Sequence, residues 1–361
     1  MDWERSRHVA RERPTLDTVA AAAGVSRMTV SNAYNRPDQL SPATRQRVLE
    51  TASRLGYPGP DPTAASLRLR RTGTVGVVLT ERLPYAFTDP GLVTILHGIA
   101  TELSEAGNAL LLVPAYGADG ESLLRHAMVD ALILCSLAAD DPAVAAALER
   151  QVPLVTVGNP RLPTVPAVGP DNRRAAAEVA RHLLGFGHRR FAVVTTVTGE
   201  RRGPSRPLFH ERVDGFRDTL VDSGIDPRHV EVLCAADNSR AAGSDAVGEL
   251  LARPRASRPS GLFAVTDILA LGVLDAAAEA GLAVPRDLSV AGFDDIAAAA
   301  SSVPALTTVA HDLFGQGRTA ARLALRMIAG EAVRAPRIGT ELIARGSTGP
   351  RPRARARARR S

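Results

Sequence analysis

The chain has 361 residues, of which 45% are hydrophobic and 4% are aromatic, and its formal net charge is +6. This length is too great for one ordinary hydrophobic core and predicts two or three domains. The first residues contain no apolar stretch that could serve as a signal peptide, and no apolar run approaches the ~18–20 residues needed to span a bilayer. These features argue against a secreted protein or a membrane protein with spanning helices, and they predict a cytoplasmic protein.

The charge is distributed unevenly along the chain. Residues 1–72 contain 12 arginines and 7 acidic residues, residues 73–350 contain 26 and 31, and residues 351–361 contain 6 arginines and no acid. Lysine is absent. A basic head on an acidic body is typical of a nucleic-acid-binding head joined to a sensor. We interpret residues 349–361 as a disordered, solvated charge run, with weak non-specific attraction to DNA as the alternative.

Residues 14–57 have the pattern of a helix-turn-helix domain. Two short helical patterns, at 16–23 and 27–35, are separated by Gly24-Val25-Ser26. Ser26 is a good N-cap for the second helix, which is the predicted recognition helix. A third helix is predicted to begin with Ser41 as N-cap and to end at Gly56. Its predicted apolar stripe is Val48, Leu49, Ala52 and Leu55.

The outward side of the recognition helix carries no acidic residue and predicts contacts with DNA. We assign base reading to Arg27, Met28 and Asn32, which lie near the start of the helix. Met28 can contact only apolar groups such as the thymine methyl. The residues assigned to phosphate contacts are Thr15, Thr29, Ser31 and Asn35.

The strings GVSRMTVSNAYN and LSPATRQRVLETASRLGY resemble the DNA-binding domain of the lactose-repressor (LacI/GalR) family. The alternative is an unrelated helical hairpin. Residues 58–72 then correspond to the family's linker and hinge helix, in which Leu67 matches the leucine that wedges between base pairs of the operator minor groove. One extra residue after Tyr57 and an alanine at position 65 depart from the family pattern. The alternative for this segment is a linker with an incidental leucine.

From residue 73 to 348, strand-like apolar runs alternate with amphipathic helical patterns. This alternation predicts an α/β body of two doubly wound subdomains with parallel sheets. Cys135 and Cys234 lie in two of the strand-like runs and are predicted to be buried free thiols. The predicted strands are 75–79, 110–113, 131–135, 154–157, 191–195, 230–234, 262–265 and 288–293.

The body resembles the periplasmic-binding-protein-like sensor of the same family. The resemblance is carried by strings such as DNRRAAAEVARHLLGFGHRRFAVV and FAVTDILALGVLDAAAEAGLAVPRDLSVAGFDDI. It implies three chain crossings between the subdomains, near residues 159–168, 294–296 and 320–325. It also implies a small-molecule effector in the cleft between them, at the carboxyl ends of the strands.

Several positions match effector contacts of the family. Arg212 and Asp294 are the strongest candidates, since a guanidinium and a carboxylate hold ligand hydroxyls or carboxylates through charge-assisted hydrogen bonds. The alternative is that these two residues pair with each other. Thr266 stands where the family has Asn, and Asn238 stands where many members have an aromatic ring. The remaining candidates, from the loop after the first strand, are Tyr85, Phe87 and Asp89, whose alternative role is a packed loop.

Two sites near these positions are interpreted as helix starts. Asp267 is predicted to cap the helix that follows it, and Asp171-Asn172 to begin another helix. Gly158 stands where several sugar-responsive members have Asp. A sugar is the family's usual effector, but the departures at positions 158, 238 and 266 argue against a simple hexose.

The resulting hypothesis is a transcriptional regulator of the repressor type, bound as a homodimer to a pseudo-palindromic operator and controlled by a sugar-like effector. In the cell it would be cytoplasmic and associated with the nucleoid when bound to DNA. A solute-binding protein would share the body but lack the N-terminal reader. An enzyme is disfavoured, because the sequence has no phosphate-binding loop, no nucleophile elbow and no metal-ligand spacing. The sequence indicates no cofactor.

Overall fold

The computed structural model describes residues 14–60, 71–79, 81, 83–115, 120–196 and 207–351. These residues belong to two compact units, a head within residues 1–72 and a body within residues 73–361. The predicted hinge helix with Leu67 and most of the arginine-rich tail lie outside the described residues.

The head has three helices, and each begins at a hydroxyl side chain that accepts a backbone N–H. Thr15, Ser26 and Ser41 are the three N-caps, as the sequence predicts for Ser26 and Ser41. Gly24 and Gly56 end the first and third helices in the left-handed region, at φ 65° and 70°, which glycine adopts without steric cost. The helices are α1 (Leu16–Ala23), α2 (Arg27–Asn35) and α3 (Pro42–Leu55).

The core of the head is small and consists of alanine, valine and one tyrosine. Tyr34 packs edge-on against Tyr57, with ring centroids 6.1 Å apart. Leu55 does not join this core as predicted, because it lies on the last turn of α3 and is 40% exposed. The buried residues are Val19, Ala20, Ala23, Val30, Ala33, Val48, Ala52 and Tyr57.

The body begins with the N-subdomain, which is built on a five-stranded parallel sheet in the order β2-β1-β3-β4-β5. Aliphatic side chains cover both faces of this sheet, which explains why its strands read as continuous apolar runs. Its strands are β1 (Thr74–Leu79), β2 (Ala109–Pro114), β3 (Ala131–Cys135), β4 (Leu154–Val157) and β5 (Ala167–Val168). The helices between them are α4 (Pro90–Glu105), α5 (Gly120–His126) and α6 (Pro142–Glu149).

The C-subdomain has a four-stranded parallel sheet in the order β7-β6-β8-β9 and a separate antiparallel pair, β10-β11. Its strands are β6 (Phe191–Thr196), β7 (Val230–Ala235), β8 (Gly261–Ala264), β9 (Ser289–Ala291), β10 (Thr308–Ala310) and β11 (Glu341–Ile343). Its helices are α7 (Asn172–Gly185), α8 (Pro207–Asp222), α9 (Arg240–Ala252), α10 (Asp267–Glu279) and α11 (Ala297–Ser301).

The chain crosses between the subdomains at places that differ from the prediction. It leaves the N-subdomain between β5 and α7, returns between β10 and the helix α12 (Leu313–Ile328), and leaves again before β11. Residues 294–296 are no crossing, because Ile296, Leu306 and Val309 all pack in the C-subdomain core. Residues 320–325 lie inside α12, which packs on the N-subdomain sheet.

Helix α12 is held tightly against α4 by two glycines. A methyl group at Gly98 would overlap the carbonyl of Phe314, and one at Gly317 would overlap the carbonyl of Ile95. The backbones of the two helices therefore touch directly. Around this contact, Arg318 and Arg322 both pair with Glu102. We infer that α4 and α12 move as one rigid pair.

The eight strands predicted from the sequence are present, and the short strands β5, β10 and β11 are additional. Cys135 is buried as predicted, but Cys234 is exposed because it lies on the edge strand β7. Within the described residues, every helix is too short or too polar to cross a membrane.

Candidate DNA-reading surface and effector cleft

Helix α2 turns Val30 and Ala33 into the core of the head, so the rest of its surface is available for contacts. Met28 is 72% exposed, so its side chain is accessible for an apolar contact with a partner. Arg27 and Asn35 are also exposed. Thr29, Ser31 and Asn32 are half-buried at the edge of the same surface.

Most of the predicted DNA contacts have weak local partners. Arg27 lies 3.6 Å from Asp17, and both side chains are largely exposed, so this ion pair contributes little. The Asn32 amide donates to Gln39 Oε1 at 3.3 Å. Exchange of either contact for DNA therefore has a small energetic cost.

The remaining predicted phosphate contacts take part in helix capping or in bonds within α2. Thr15 forms a reciprocal capping box with Thr18, and Thr29 Oγ1 lies 2.9 Å from the Ser26 cap. The Asn35 amide donates to Ser31 Oγ at 3.4 Å. These residues start and stiffen the helices, which fixes the orientation of the exposed surface.

A cleft between the two subdomains of the body has a volume of about 720 Å³, part of which is open to solvent. Both subdomains supply apolar and polar side chains to it. The lining residues are Leu79, Glu81, Asp89, Gly91, Leu92, Ile95, Cys135, Ser136, Val157, Gly158, Pro170, Asn172, Leu208, Phe209, Arg212, Asn238, Thr266, Asp294, His311, Leu313 and Gln316.

Arg212 is the cationic centre of the cleft, although only 4% of it is exposed. Its Nη1 lies 3.0 Å from Asp294 Oδ1 and donates to the carbonyl of Val265 at 2.6 Å. Its Nε donates to Asn172 Oδ1 at 3.0 Å, and the guanidinium stacks 3.6 Å from the ring centre of Phe293. Burial lowers the pKa of Arg212, and the carboxylate of Asp294 opposes that shift.

Asp294 links Arg212 to the N-terminal end of α12. Its Oδ1 lies 3.2 Å from Nε2 of His311, whose Nδ1 lies 2.5 Å from the amide nitrogen of Gln316. When the Gln316 amide donates to Nδ1, His311 is the neutral tautomer that donates from Nε2 to Asp294. Asp294 has φ 112°, a conformation that is strained for a residue other than glycine. Strain of this kind is typical of functional sites.

A second chain of hydrogen bonds crosses the cleft. Asp89, the N-cap of α4, accepts from Tyr85 at 2.5 Å and from the amide of Asn238 at 3.1 Å. The oxygen of the Asn238 amide accepts from Thr266 Oγ1 at 2.6 Å. We call the Asp89–Asn238 bond the clasp, because its two residues belong to different subdomains.

Asp267 has a different role from the predicted one. Thr266 is the N-cap of α10, while the carboxyl of Asp267 is fully buried. That carboxyl accepts from the backbone N–H of Ile296 at 2.9 Å and from Thr308 Oγ1 at 2.5 Å. Burial raises the pKa of Asp267 well above its ordinary value. Asp267 therefore fastens the loop that carries Asp294 to the start of α10.

The structure brings Arg212, Asp294, Thr266, Asp89 and Asn238 together at the cleft, as the resemblance implies. The Tyr85 hydroxyl contacts the clasp, since it lies 2.5 Å from Asp89 Oδ2 and 3.2 Å from the Asn238 amide nitrogen. Phe87 is separated from this group, because 69% of it is exposed and it is not among the described lining residues.

Sequence reasoning missed several polar residues of the cleft, among them Asn172, His311 and Gln316. Asp171 caps α7 as predicted, but its neighbour Asn172 also binds Arg212. His311 and Gln316 also line the cleft, at the point where the chain returns to the N-subdomain. No sequence pattern indicates either residue. In the described part of the chain, no three or more His, Cys, Asp or Glu side chains are grouped so as to hold a metal ion.

Two family models match the chain. One, described as bacterial regulatory proteins of the lacI family, matches residues 15–59, and a periplasmic binding protein-like domain matches residues 180–348. The HTH-type transcriptional regulator Rv3575c of Mycobacterium tuberculosis is 39% identical over 333 residues, covering 88% of this chain and 91% of its own length. The chain belongs to the LacI family. It is a helix-turn-helix transcriptional regulator.

Other relatives of this LacI-family regulator agree. The repressor CytR of Escherichia coli is 32% identical over 347 residues, covering 92% of this chain and 96% of its own. The structure of a CelR–cellobiose complex has a TM-score of 0.66 at 33% identity, covering 93% of this chain and all of its own. The lac repressor dimer bound to operator and an anti-inducer has a TM-score of 0.76 at 23% identity, over 94% of this chain and all of that chain. The predicted fold, a helix-turn-helix head with a periplasmic-binding-protein-like body, is confirmed.

Proposed function

We propose that this regulator is a repressor that binds a pseudo-palindromic operator as a homodimer and is controlled by a small polyhydroxyl effector. It acts in the cytoplasm, where it associates with the nucleoid when bound to DNA. The observation that carries the effector proposal is the Arg212–Asp294 pair, which is largely buried and lines the cleft between the two subdomains.

The DNA contacts are assigned to the exposed surface of α2. Arg27, Met28 and Asn32 read base edges, and Thr15, Thr29, Ser31 and Asn35 contact phosphates. Support comes from the exposure of Met28 and Arg27 and from the length of the Asn32–Gln39 hydrogen bond, 3.3 Å. In the linker, Leu67 is assigned the minor-groove wedge on the family resemblance alone.

The effector contacts are assigned from the hydrogen bonds that the protein itself uses. Among the described residues, the bonds of Arg212 involve Nε and Nη1, and the bonds of Asp294 involve Oδ1. Nη2 of Arg212 and Oδ2 of Asp294 are therefore available to a ligand. One donor beside one acceptor suits a pair of neighbouring hydroxyl groups. Asp89, Asn238, Thr266 and Tyr85 form a second polar group, which includes the clasp between the two subdomains.

Control of DNA binding follows from the chain crossings. A ligand that replaces the Asp89–Asn238 clasp changes the angle between the subdomains, because that bond joins them directly. His311 precedes helix α12 and bonds to Gln316 in its first turn, and α12 packs directly on α4 at Gly98 and Gly317. Effector binding at Asp294 is thus coupled to the subdomain that follows the linker.

The relatives support the repressor and sugar assignments. CytR is named a repressor, and the CelR structure contains cellobiose. Position 238 is Asn in this chain, and its amide oxygen accepts a hydrogen bond from Thr266. The cleft therefore has no aromatic ring at position 238 on which a sugar could stack. We therefore expect an effector that is recognised through its hydroxyl edges.

The DNA proposal is tested by selecting bound fragments from genomic DNA and refining the site by gel shift. We expect Asn32→Ala to lose about 1–3 kcal/mol of discrimination at one base pair in each half-site. Gln46→Ala, which alters an exposed residue of α3, is the matched control and keeps the wild-type preference. An unchanged base preference in Asn32→Ala contradicts the assignment.

The effector proposal is tested by a thermal-shift screen of mono- and disaccharides, including cellobiose, on the full chain. A ligand that stabilises the wild-type chain is expected to bind Arg212→Met at least about 100-fold more weakly, because a charge-assisted contact and its orientation are lost. Arg240→Met removes an exposed arginine that pairs with Asp275 and serves as control. Equal ligand affinity in both variants contradicts the cleft site.

A further inference from the structure

Hydrogen bonds connect the two subdomains at more than one point of the cleft. One connection is the clasp between Asp89 and Asn238. Another runs through His311, which precedes α12 and bonds on one side to Asp294 and on the other to Gln316. Asp294 belongs to a loop of the C-subdomain, whereas Gln316 lies in the first turn of a helix that packs on the N-subdomain sheet. His311 is therefore bonded to both sides of the cleft.

The imidazole of His311 is held in one orientation by its surroundings. Its side chain is 3% exposed, and its ring packs edge-on against Phe293 of the C-subdomain core, with ring centroids 5.5 Å apart. Nε2 lies 3.2 Å from Asp294 Oδ1, and Nδ1 lies 2.5 Å from the amide nitrogen of the buried Gln316. Such a ring resists independent movement, because loss of either bond leaves a buried donor or acceptor without a partner.

Asp294 is the end of this chain of bonds that the proposed effector contacts. Its backbone is fixed, since its N–H donates to the carbonyl of Val309 at 2.9 Å. Its Oδ1 serves both Arg212, at 3.0 Å, and His311, at 3.2 Å. The bond to Arg212 has a charged donor and is the stronger of the two. A ligand that turns the carboxylate therefore changes mainly the bond to His311.

Gln316 is the other end, and it is fixed to the N-subdomain. The next residue, Gly317, lies so close to α4 that a methyl group there would overlap the carbonyl of Ile95. Helix α4 begins at Asp89, which belongs to the clasp. A displacement of Gln316 is therefore a displacement of the α4–α12 pair. This pair packs on the sheet whose strand β1 follows the linker from the head.

Given the proposed function, on which this step rests, we propose that His311 is a positioning residue that transmits effector binding from Asp294 to the α4–α12 pair. Without its two hydrogen bonds, Arg212 and Asp294 remain and still bind a ligand. The bound ligand then has little effect on operator affinity, because the α4–α12 pair is no longer bonded to the carboxylate, and the clasp carries only the remainder. A residue that merely shaped the cleft would affect ligand affinity and leave the response at saturation unchanged.

The test measures operator affinity of the full chain by fluorescence anisotropy, without ligand and with saturating ligand. The probe is cellobiose or, if cellobiose does not stabilise the chain, the sugar of the thermal-shift panel that stabilises it most. His311→Phe keeps a ring against Phe293 and loses both hydrogen bonds. Gln316→Met keeps the length of the side chain and loses the amide. The double variant removes both polar partners together, which costs little stability when their shapes are kept.

The wild-type response is expected to be at least about fivefold, and that of each single variant to fall below about twofold. The double variant is expected to lose no more than either single variant, because the two residues act in one chain of bonds. The ligand is expected to bind all three variants within about tenfold of wild type.

His182→Phe is the matched control. It removes a histidine hydrogen bond to Thr348 within the C-subdomain and keeps a ring against Phe186, so the wild-type response is expected to persist. A wild-type response in His311→Phe and Gln316→Met overturns the inference, as do variants whose only change is weaker ligand binding. If the wild-type chain binds no sugar of the panel or does not respond to a bound one, the proposed function itself is contradicted, and the inference falls with it.

Discussion

The two subdomains of the body have similar sheets but different interiors. In the N-subdomain, both faces of the sheet are covered by aliphatic side chains such as Val77, Ile133 and Leu134. The C-subdomain adds separate clusters of hydrogen-bonded polar residues to its apolar core, which we call together its polar network. These clusters include His188 with Ser289, Asp267 with Thr308, and Thr307 with Ser347, and each of these residues is 0% exposed.

The difference shows how the cleft is built. Polar networks fix side chains in one arrangement, because each donor and acceptor has a required partner. The C-subdomain therefore holds Arg212 and Asp294 in place before a ligand arrives. The N-subdomain supplies apolar side chains such as Leu79, Leu92 and Ile95, which have no hydrogen-bond partners to fix their direction. We infer that the C-subdomain is the fixed side of the cleft and the N-subdomain the adjustable side.

The largest expected effect of breaking the network is at Asp267. Asp267→Ala removes the acceptor for the buried N–H of Ile296 and the partner of Thr308, which costs about 2–4 kcal/mol of unfolding free energy. Urea denaturation measures this loss. Asp275→Ala on the same helix breaks only the exposed pair with Arg240 and is expected to cost less than about 1 kcal/mol. Similar losses in the two variants contradict a special role for the buried network.

The network also predicts sensitivity to acid. Burial lowers the pKa of His188 to about 4 from its ordinary value of 6.5. The unfolded chain therefore binds the proton more readily, so stability is complete above pH 6.5 and is lost as the pH falls towards 4. The loss reaches about 3 kcal/mol.

The acid effect is measured as the free energy of unfolding at several pH values for wild type and His188→Gln. The wild-type free energy is expected to fall more steeply between pH 6.5 and 4 than that of the variant, which lacks the titrating group. Parallel curves for the two proteins would contradict the assignment of this effect to His188.

The smallest effect is expected in the aliphatic interior of the N-subdomain. Ile133→Val removes one fully buried methylene from β3 and is expected to cost about 1 kcal/mol. Thermal or urea denaturation measures this cost, and binding of the ligand found in the effector screen is expected to stay within twofold of wild type. A loss above about 3 kcal/mol would mean that a small change in the N-subdomain interior destabilises the protein as much as a change in the polar network of the C-subdomain.

The head was predictable from sequence because its signals are local. Ser26, Ser41, Gly24 and Gly56 each act within a few residues of their own position, so their roles follow from their neighbours. The strands of the body were predictable for a similar reason, since buried parallel strands are short continuous apolar runs. These local signals determine which helices and strands form. The arrangement of those elements in two subdomains was expected from the family resemblance.

The polar detail of the cleft depends on contacts between distant residues and could not be predicted locally. Asp267 looks like a helix cap in the sequence, yet Thr266 takes the cap and leaves Asp267 to bind Thr308, 41 residues away. The side chain of Asn172 accepts a hydrogen bond from Arg212, which lies 40 residues further along the chain. His311 stands at a chain crossing that no change of composition marks. Only the folded chain brings these groups together.

The most direct test of the account is whether occupancy of the cleft controls the head. Operator affinity is measured by fluorescence anisotropy with and without a saturating amount of the ligand found in the thermal-shift screen, for wild type and Arg212→Met. The account predicts a change of at least about fivefold in the wild-type chain and no change in Arg212→Met. A wild-type operator affinity that does not respond to a bound ligand would contradict the account.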